Sequence, residues 1–183
     1  MVKRLSVVLV LAFACIASGA EPPKLPAPKA PAVPEADGYV VIPDASAPPS
    51  RSHVYKAIFD STQGSDDPKA ILPALNMLGS ELNAMAVAGV PSKNVKFVVS
   101  FHGPAVQGLL KDDAYRKKFG VSNPNIPVLK TLRSLGVELY VCGQFLAFEH
   151  VDTATLSPDV AIASDALIVL MTYQNQGYAL LSF

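Results

Sequence analysis

Cys142 is the side chain in this sequence whose surroundings most suggest chemistry. It follows the apolar run Val137–Val141 and precedes Gly143, Gln144 and a short segment of helical character. A strand that ends where a helix begins puts free amide N–H groups and the positive end of the helix dipole beside the junction residue. Both favour a thiolate. Gly143 lets the backbone come close to a bound sulfur, and Gln144 carries a hydrogen-bond donor. Free cysteine is also among the most buried residue types. Position alone therefore leaves two readings open, a reactive thiol and a small core side chain.

Two other polar segments end apolar runs. Asp60, Ser61, Thr62 and Gln63 follow Val54–Phe59, and His102-Gly103 follows Val95–Phe101. In a parallel α/β sheet, ligands sit outside the carboxyl ends of the strands. Ser61, Thr62, His102, Gly103, Cys142, Gly143 and Gln144 should then share one edge of the molecule. Other chemistries lack their residues. The sequence has no G-x-G-x-x-G after the first strand, no G-x-x-x-x-G-K-[ST] and no H-E-x-x-H. It has no C-x-x-C and no G-x-S-x-G. His53, His102 and His150 lie far apart, so neither a metal site nor a cofactor is expected. With 15 basic and 15 acidic residues and no Trp, the chain lacks the basic excess of a nucleic-acid binder.

The elements that must position these residues alternate. Strands are expected at His53–Asp60, Val95–Phe101, Val137–Val141, Asp159–Ala163 and Tyr178–Phe183. Between them the apolar spacing predicts helices over Leu72–Ala88, Leu109–Phe119 and Ile126–Leu135. A short helix through Glu149 follows Cys142, and another begins at Ser164 or Asp165. Gly89 and Pro91 should stop the first helix. This order predicts a three-layer α/β sandwich, with a five-stranded, mainly parallel sheet and helices on both faces.

Two segments precede the domain. Residues 1–20 combine Lys3 and Arg4, an apolar run and Ser18-Gly19-Ala20, the pattern of an export signal cut after Ala20. The run is too short for a membrane span. Cys15 follows Ala12-Phe13-Ala14, a poor lipid-attachment motif because Phe is bulky. Cleavage leaves 13 basic and 15 acidic residues, a net charge of −2, and Cys142 as the lone thiol. A periplasmic or secreted protein is expected, with no membrane span in the mature chain. Nine of the 16 prolines fall within residues 21–50. This Pro/Ala-rich stretch should be an extended, semi-rigid tether to a domain over residues 51–183. Within it, Tyr39–Ile42 has high strand propensity and could lie along a sheet edge or groove, or dock a partner.

The segment Gly136–Leu146 (GVELYVCGQFL) resembles the cysteine motif of the DsrE/DsrF-like sulfur-relay family, in its exported single-domain branch. Val54–Asp60 (VYKAIFD), Val98–Gly103 (VVSFHG), Asn123-Pro124-Asn125 and Gln176–Leu180 match as well. The resemblance covers about Tyr39 to Phe183, and the order and spacing of these segments carry it. It implies a five-stranded parallel fold and a homo-oligomer, trimer or hexamer. It also implies transient carriage of sulfur as a persulfide on Cys142, between a donor and an acceptor the sequence does not name. His102 matches the family at the end of the second strand without a role of its own.

Three functions remain in competition. The first is a periplasmic sulfur carrier or sulfurtransferase-like protein. There Cys142 is the nucleophile, the amides of Gly143 and Gln144 support the anion, and His102 moves a proton. The second is a non-catalytic oligomeric module that binds a small ligand or a partner. The third is a redox sensor in which Cys142 forms an intermolecular disulfide.

Overall fold

The computed structural model describes residues 25–183. The expected leader and Cys15 lie outside them. Five strands form one parallel sheet: β1 (Tyr55–Ser61), β2 (Val95–Phe101), β3 (Glu138–Cys142), β4 (Ala161–Ala163) and β5 (Ala179–Ser182). Their spatial order is β4-β3-β2-β1-β5. β1 and β2 are apolar on both sides because both sides are covered, as a central parallel strand requires. Residues Ala57 and Phe59, Phe97, Val99 and Phe101, and Leu139 and Val141 point to one face, into the main core. Ile58, Val98 and Tyr140 point to the other.

The helices divide unequally between these faces. α1 (Pro73–Val87), α3 (Asn125–Ser134) and the buried Leu146 of α4 (Gly143–Phe148) pack on the main core. α2 (Asp112–Phe119) lies beyond the carboxyl edge and buries Tyr115. α5 (Ala166–Asn175) packs on the second face through Leu170, against Ile58 and Val98. α1 starts at a proline, needs no donor there, and ends at Val87. Gly89 then turns the chain at φ +71°.

Three expectations change. The helix foreseen over Leu109–Phe119 starts only at Asp112, as α2, and Leu109 instead ends a 3₁₀ helix, Gly103–Leu109. Leu110 and Lys111 between them are extended, and Leu110 bridges to Leu156. The strand expected from Asp159 is confined to Ala161–Ala163.

The largest change lies in the proline-rich stretch, where a plain spacer was expected. Residues 29–39 fold back as a loop closed by paired hydrogen bonds between Lys29 and Tyr39, and they dock on α1. The carboxamide of Asn83 accepts from the N–H groups of Ala32 and Val33, each at 2.9 Å, and donates to the carbonyls of Val33 and Asp37. Val33 is fully buried. Gly79 makes room: a Cβ there would lie 2.3 Å from the Cβ of Ala36. Few large apolar side chains are needed when α1 receives the main chain itself. Tyr39–Ile42 joins no strand of the sheet, and Val41 and Ile42 are exposed.

Candidate functional site

The three strand ends meet at one edge, as parallel alternation requires. Ser61 pairs with Phe101, and Phe101 pairs with Val141. One residue further along, Thr62, His102 and Cys142 continue that row. Adjacent strands are about 4.8 Å apart and side chains alternate in direction. His102 and Cys142 are therefore neighbours on the α5 face of the sheet.

Cys142 caps α4. Its Sγ accepts hydrogen bonds from the N–H of Phe145 at 3.4 Å and the N–H of Ala166 at 3.3 Å. The first is the third amide of α4, which a capping side chain ordinarily reaches. The second is the first residue of α5. These amides replace the expected pair from Gly143 and Gln144. α4 leaves β3 toward the main core and α5 leaves β4 toward the opposite face, so the sulfur lies in the crevice between diverging connections. That is the general ligand position in open parallel sheets. Cys142 is 6% exposed.

Gly143 and Gln144 act on the backbone around the sulfur. A Cβ on Gly143 would lie 2.6 Å from the carbonyl oxygen of Ala163. Gln144 turns away from the thiol and donates to the carbonyl of Ser164 at 3.4 Å. Both residues hold α4 against the β4–α5 connection, which fixes the two amides over Cys142.

His102 has a partner that the sequence pattern did not mark. Its Nε2 is 2.7 Å from Oδ1 of Asp60. A carboxylate only accepts, so the Nε2 proton points to Asp60 and Nδ1 is left free. Asp60 pairs in register with Ser100, two residues before His102, so the contact is diagonal across adjacent strands. The alternation of Asp60 and His102 onto one face was the available signal. Gly103 turns the chain off β2 at φ +60°.

The remaining candidates separate. Ser61 is fully buried, faces the main core, and its hydroxyl has no partner among the described residues. It is not brought to the cysteine. Thr62 is on the correct face but is tied to the chain end: its N–H and hydroxyl both donate to the carbonyl of Phe183. Among the described residues, no three His, Cys, Asp or Glu side chains are grouped to hold a metal ion. No helix among them is long and apolar enough to cross a membrane.

Comparison with known proteins places this arrangement. No curated protein matches the chain by sequence. Two solved structures share its fold. One is MTH1491 from Methanobacterium thermoautotrophicum, a protein of unknown function. It is 19% identical, with a TM-score of 0.51, covering 70% of this chain and 99% of that one. The other is the ychN protein from E. coli, at 18% identity and a TM-score of 0.50, with the same two coverages. The family model that matches residues 58–183 takes in all five strands except the first three residues of β1, and by that match the chain belongs to the DsrE/DsrF-like family.

Proposed function

We propose that this protein carries sulfur as a persulfide on Cys142, as an exported, homo-oligomeric member of its family. The observation that supports the reading best is the placement of Cys142 Sγ. Two amide donors from different helices converge on it, and the His102–Asp60 pair lies on the same sheet face. Amides aimed at a sulfur stabilise charge on it without needing a mobile cation.

The chemistry balances with a sulfane-sulfur donor such as thiosulfate. The Cys142 thiolate attacks the outer sulfur, the S–S bond of the donor breaks, and sulfite leaves with the bonding electrons. The product is Cys142–S–S⁻. An acceptor thiolate then attacks the terminal sulfur, takes it as a new persulfide, and returns Cys142 as thiolate. No net oxidant is consumed. His102, with Nδ1 free and Nε2 held by Asp60, takes the thiol proton at the start and returns it to a leaving thiolate. Export rests on the pattern of residues 1–20; mass spectrometry of the native protein should find a chain that begins near Glu21, and an intact Met1–Ala20 would overturn it.

The test is intact mass after incubation with thiosulfate or polysulfide. A gain of one sulfur atom, reversed by dithiothreitol and absent from Cys142→Ser, is expected. No adduct with an unreactive thiol favours the second reading, a non-catalytic binding module, which the burial of Cys142 recommends. A dimer on a non-reducing gel identifies a redox sensor instead.

A further inference from the structure

A second cavity opens at the carboxyl edge, on the main-core side of the sheet and away from the Cys142 face. Its volume is about 620 Å³. The loop after β1 supplies Gln63 and Asp66, the 3₁₀ helix supplies Gln107, and α2 supplies Tyr115 and Phe119. Its walls are fixed by buried polar bonds. Asn125, 1% exposed, accepts from the N–H of Leu72 at 2.8 Å and donates to Asn123 at 2.9 Å. Asn123 in turn donates to the carbonyls of Gly108 and Leu110. The hydroxyl of Tyr115 donates to the carbonyl of Pro68 at 3.0 Å, which leaves its oxygen lone pairs free.

The charge of this cleft is one-sided. Among the described residues Asp66 is the one charged side chain that lines it; Lys118, whose Nζ lies 5.5 Å from the Phe119 ring centroid, lines the neighbouring cavity with Val106, Phe145 and Glu149. Among the described residues Arg116–Asp112 is the ion pair and Asp60 is held by the His102 hydrogen bond, so the carboxylate of Asp66 is unpaired. The wall opposite is aromatic: the Tyr115 and Phe119 rings have centroids 4.5 Å apart. Burial pushes the Tyr115 hydroxyl above its ordinary value, and the negative charge of Asp67 adds to this. A site with a fixed frame, an aromatic wall, two carboxamides and an unpaired carboxylate suits one kind of guest.

We propose that the cleft binds a small organic cation with a flat apolar body, an arylalkylamine in chemical class. Its ammonium faces Asp66, its body lies against Tyr115 and Phe119, and Gln63 and Gln107 hydrogen-bond its polar substituents. The cleft lies on the main-core side of the sheet, away from the Cys142 face, so this site is distinct from the donor site of the sulfur chemistry. It does not depend on Cys142.

The test uses the full chain, with phenethylamine as the probe and phenylacetate as its anionic counterpart, followed by amide NMR shifts. Saturable binding of phenethylamine with a Kd of about 1 mM or tighter is expected, with shifts at Gln63, Gly64, Gln107 and Gly108. Asp66→Asn, on an exposed loop, should weaken it about threefold to fivefold and leave the melting temperature unchanged. Cys142→Ser should bind the amine as the wild type does, which separates this result from the fate of the sulfur reading. Equal binding of phenylacetate, an Asp66→Asn variant of unchanged affinity, or no saturable shift at the cleft overturns the proposal.

Discussion

Gly143 has no room for a side chain, and that fixes the first prediction at the scale of single residues. A Cβ placed 2.6 Å from the Ala163 carbonyl forces α4 and the β4–α5 connection apart. Gly143→Ala should destabilise the fold by about 1–3 kcal/mol, read as a lower urea midpoint. It should also slow sulfur loading, because the Phe145 and Ala166 amides lose their shared position over Sγ. Asp60 tests the proton route. Asp60→Asn replaces an acceptor by a side chain that can donate to His102, so the ring can turn its proton to Nδ1. Sulfur loading should slow by about tenfold or more, with Asp60→Glu restoring part of the rate. Loading at the wild-type rate in Asp60→Asn would remove His102 from the mechanism. Cys142 and His102 were legible because each ends an apolar run. Their partners were not: Asp60 lies 42 residues from His102 and Ala166 lies 24 from Cys142. Those contacts follow from strand order, which residue patterns leave open.

Elements were legible where apolar residues cluster densely. β2 runs from Val95 to Phe101 as expected, and α1 follows its Leu and Met spacing. The docked loop over residues 29–39 was hidden because its composition is that of a linker, and because its receptor is the polar side chain Asn83 together with Gly79. Asn83→Ala removes the hydrogen bonds to Ala32, Val33 and Asp37 and leaves buried main-chain groups unsatisfied. A loss of about 1–3 kcal/mol is expected, with new protease cleavage between residues 29 and 39; resistance equal to the wild type would mean the loop is held by Val33 alone. The opposite face carries a pH-dependent element. Tyr173, on α5, donates to Glu138 of β3 at 2.9 Å, and Tyr178 packs edge-on against its ring. Burial raises both hydroxyls above their ordinary value, with Glu138 adding to the effect. A raised value means the folded state holds the proton more tightly. This stability is therefore fully present below the unfolded tyrosine value of about 10 and is lost as pH rises above it. Phenolate absorbance should lag behind that of a free tyrosine, and the protein should lose urea resistance above that pH.

At the scale of the molecule, α5 is apolar on too many sides for a helix that covers one sheet face alone. Residues 166–171 read Ala-Leu-Ile-Val-Leu-Met. Ala166 and Leu170 are buried against the sheet, whereas Leu167 is 60% exposed, Ile168 52% and Met171 56%. Leu180 of β5, in register with Ile58, adds exposed apolar surface on the same face. A helix hydrophobic all round is normally buried, and a patch of this kind marks an interaction surface. The docked loop already covers part of α1, so the α5 face is where copies of the chain can meet. It is also the face that bears Cys142 and His102, which puts the sulfur close to the contact. Burying three such side chains contributes about 1.5–3 kcal/mol each, so one charge among them should dominate. Light scattering at micromolar concentration should find the wild type as a trimer or hexamer. Met171→Lys should be monomeric, with an unchanged far-ultraviolet circular dichroism spectrum, since its side chain points away from the sheet. A wild-type monomer, or a Met171→Lys variant of unchanged mass, would leave the apolar face of α5 without a partner copy and the oligomer without a surface to form through.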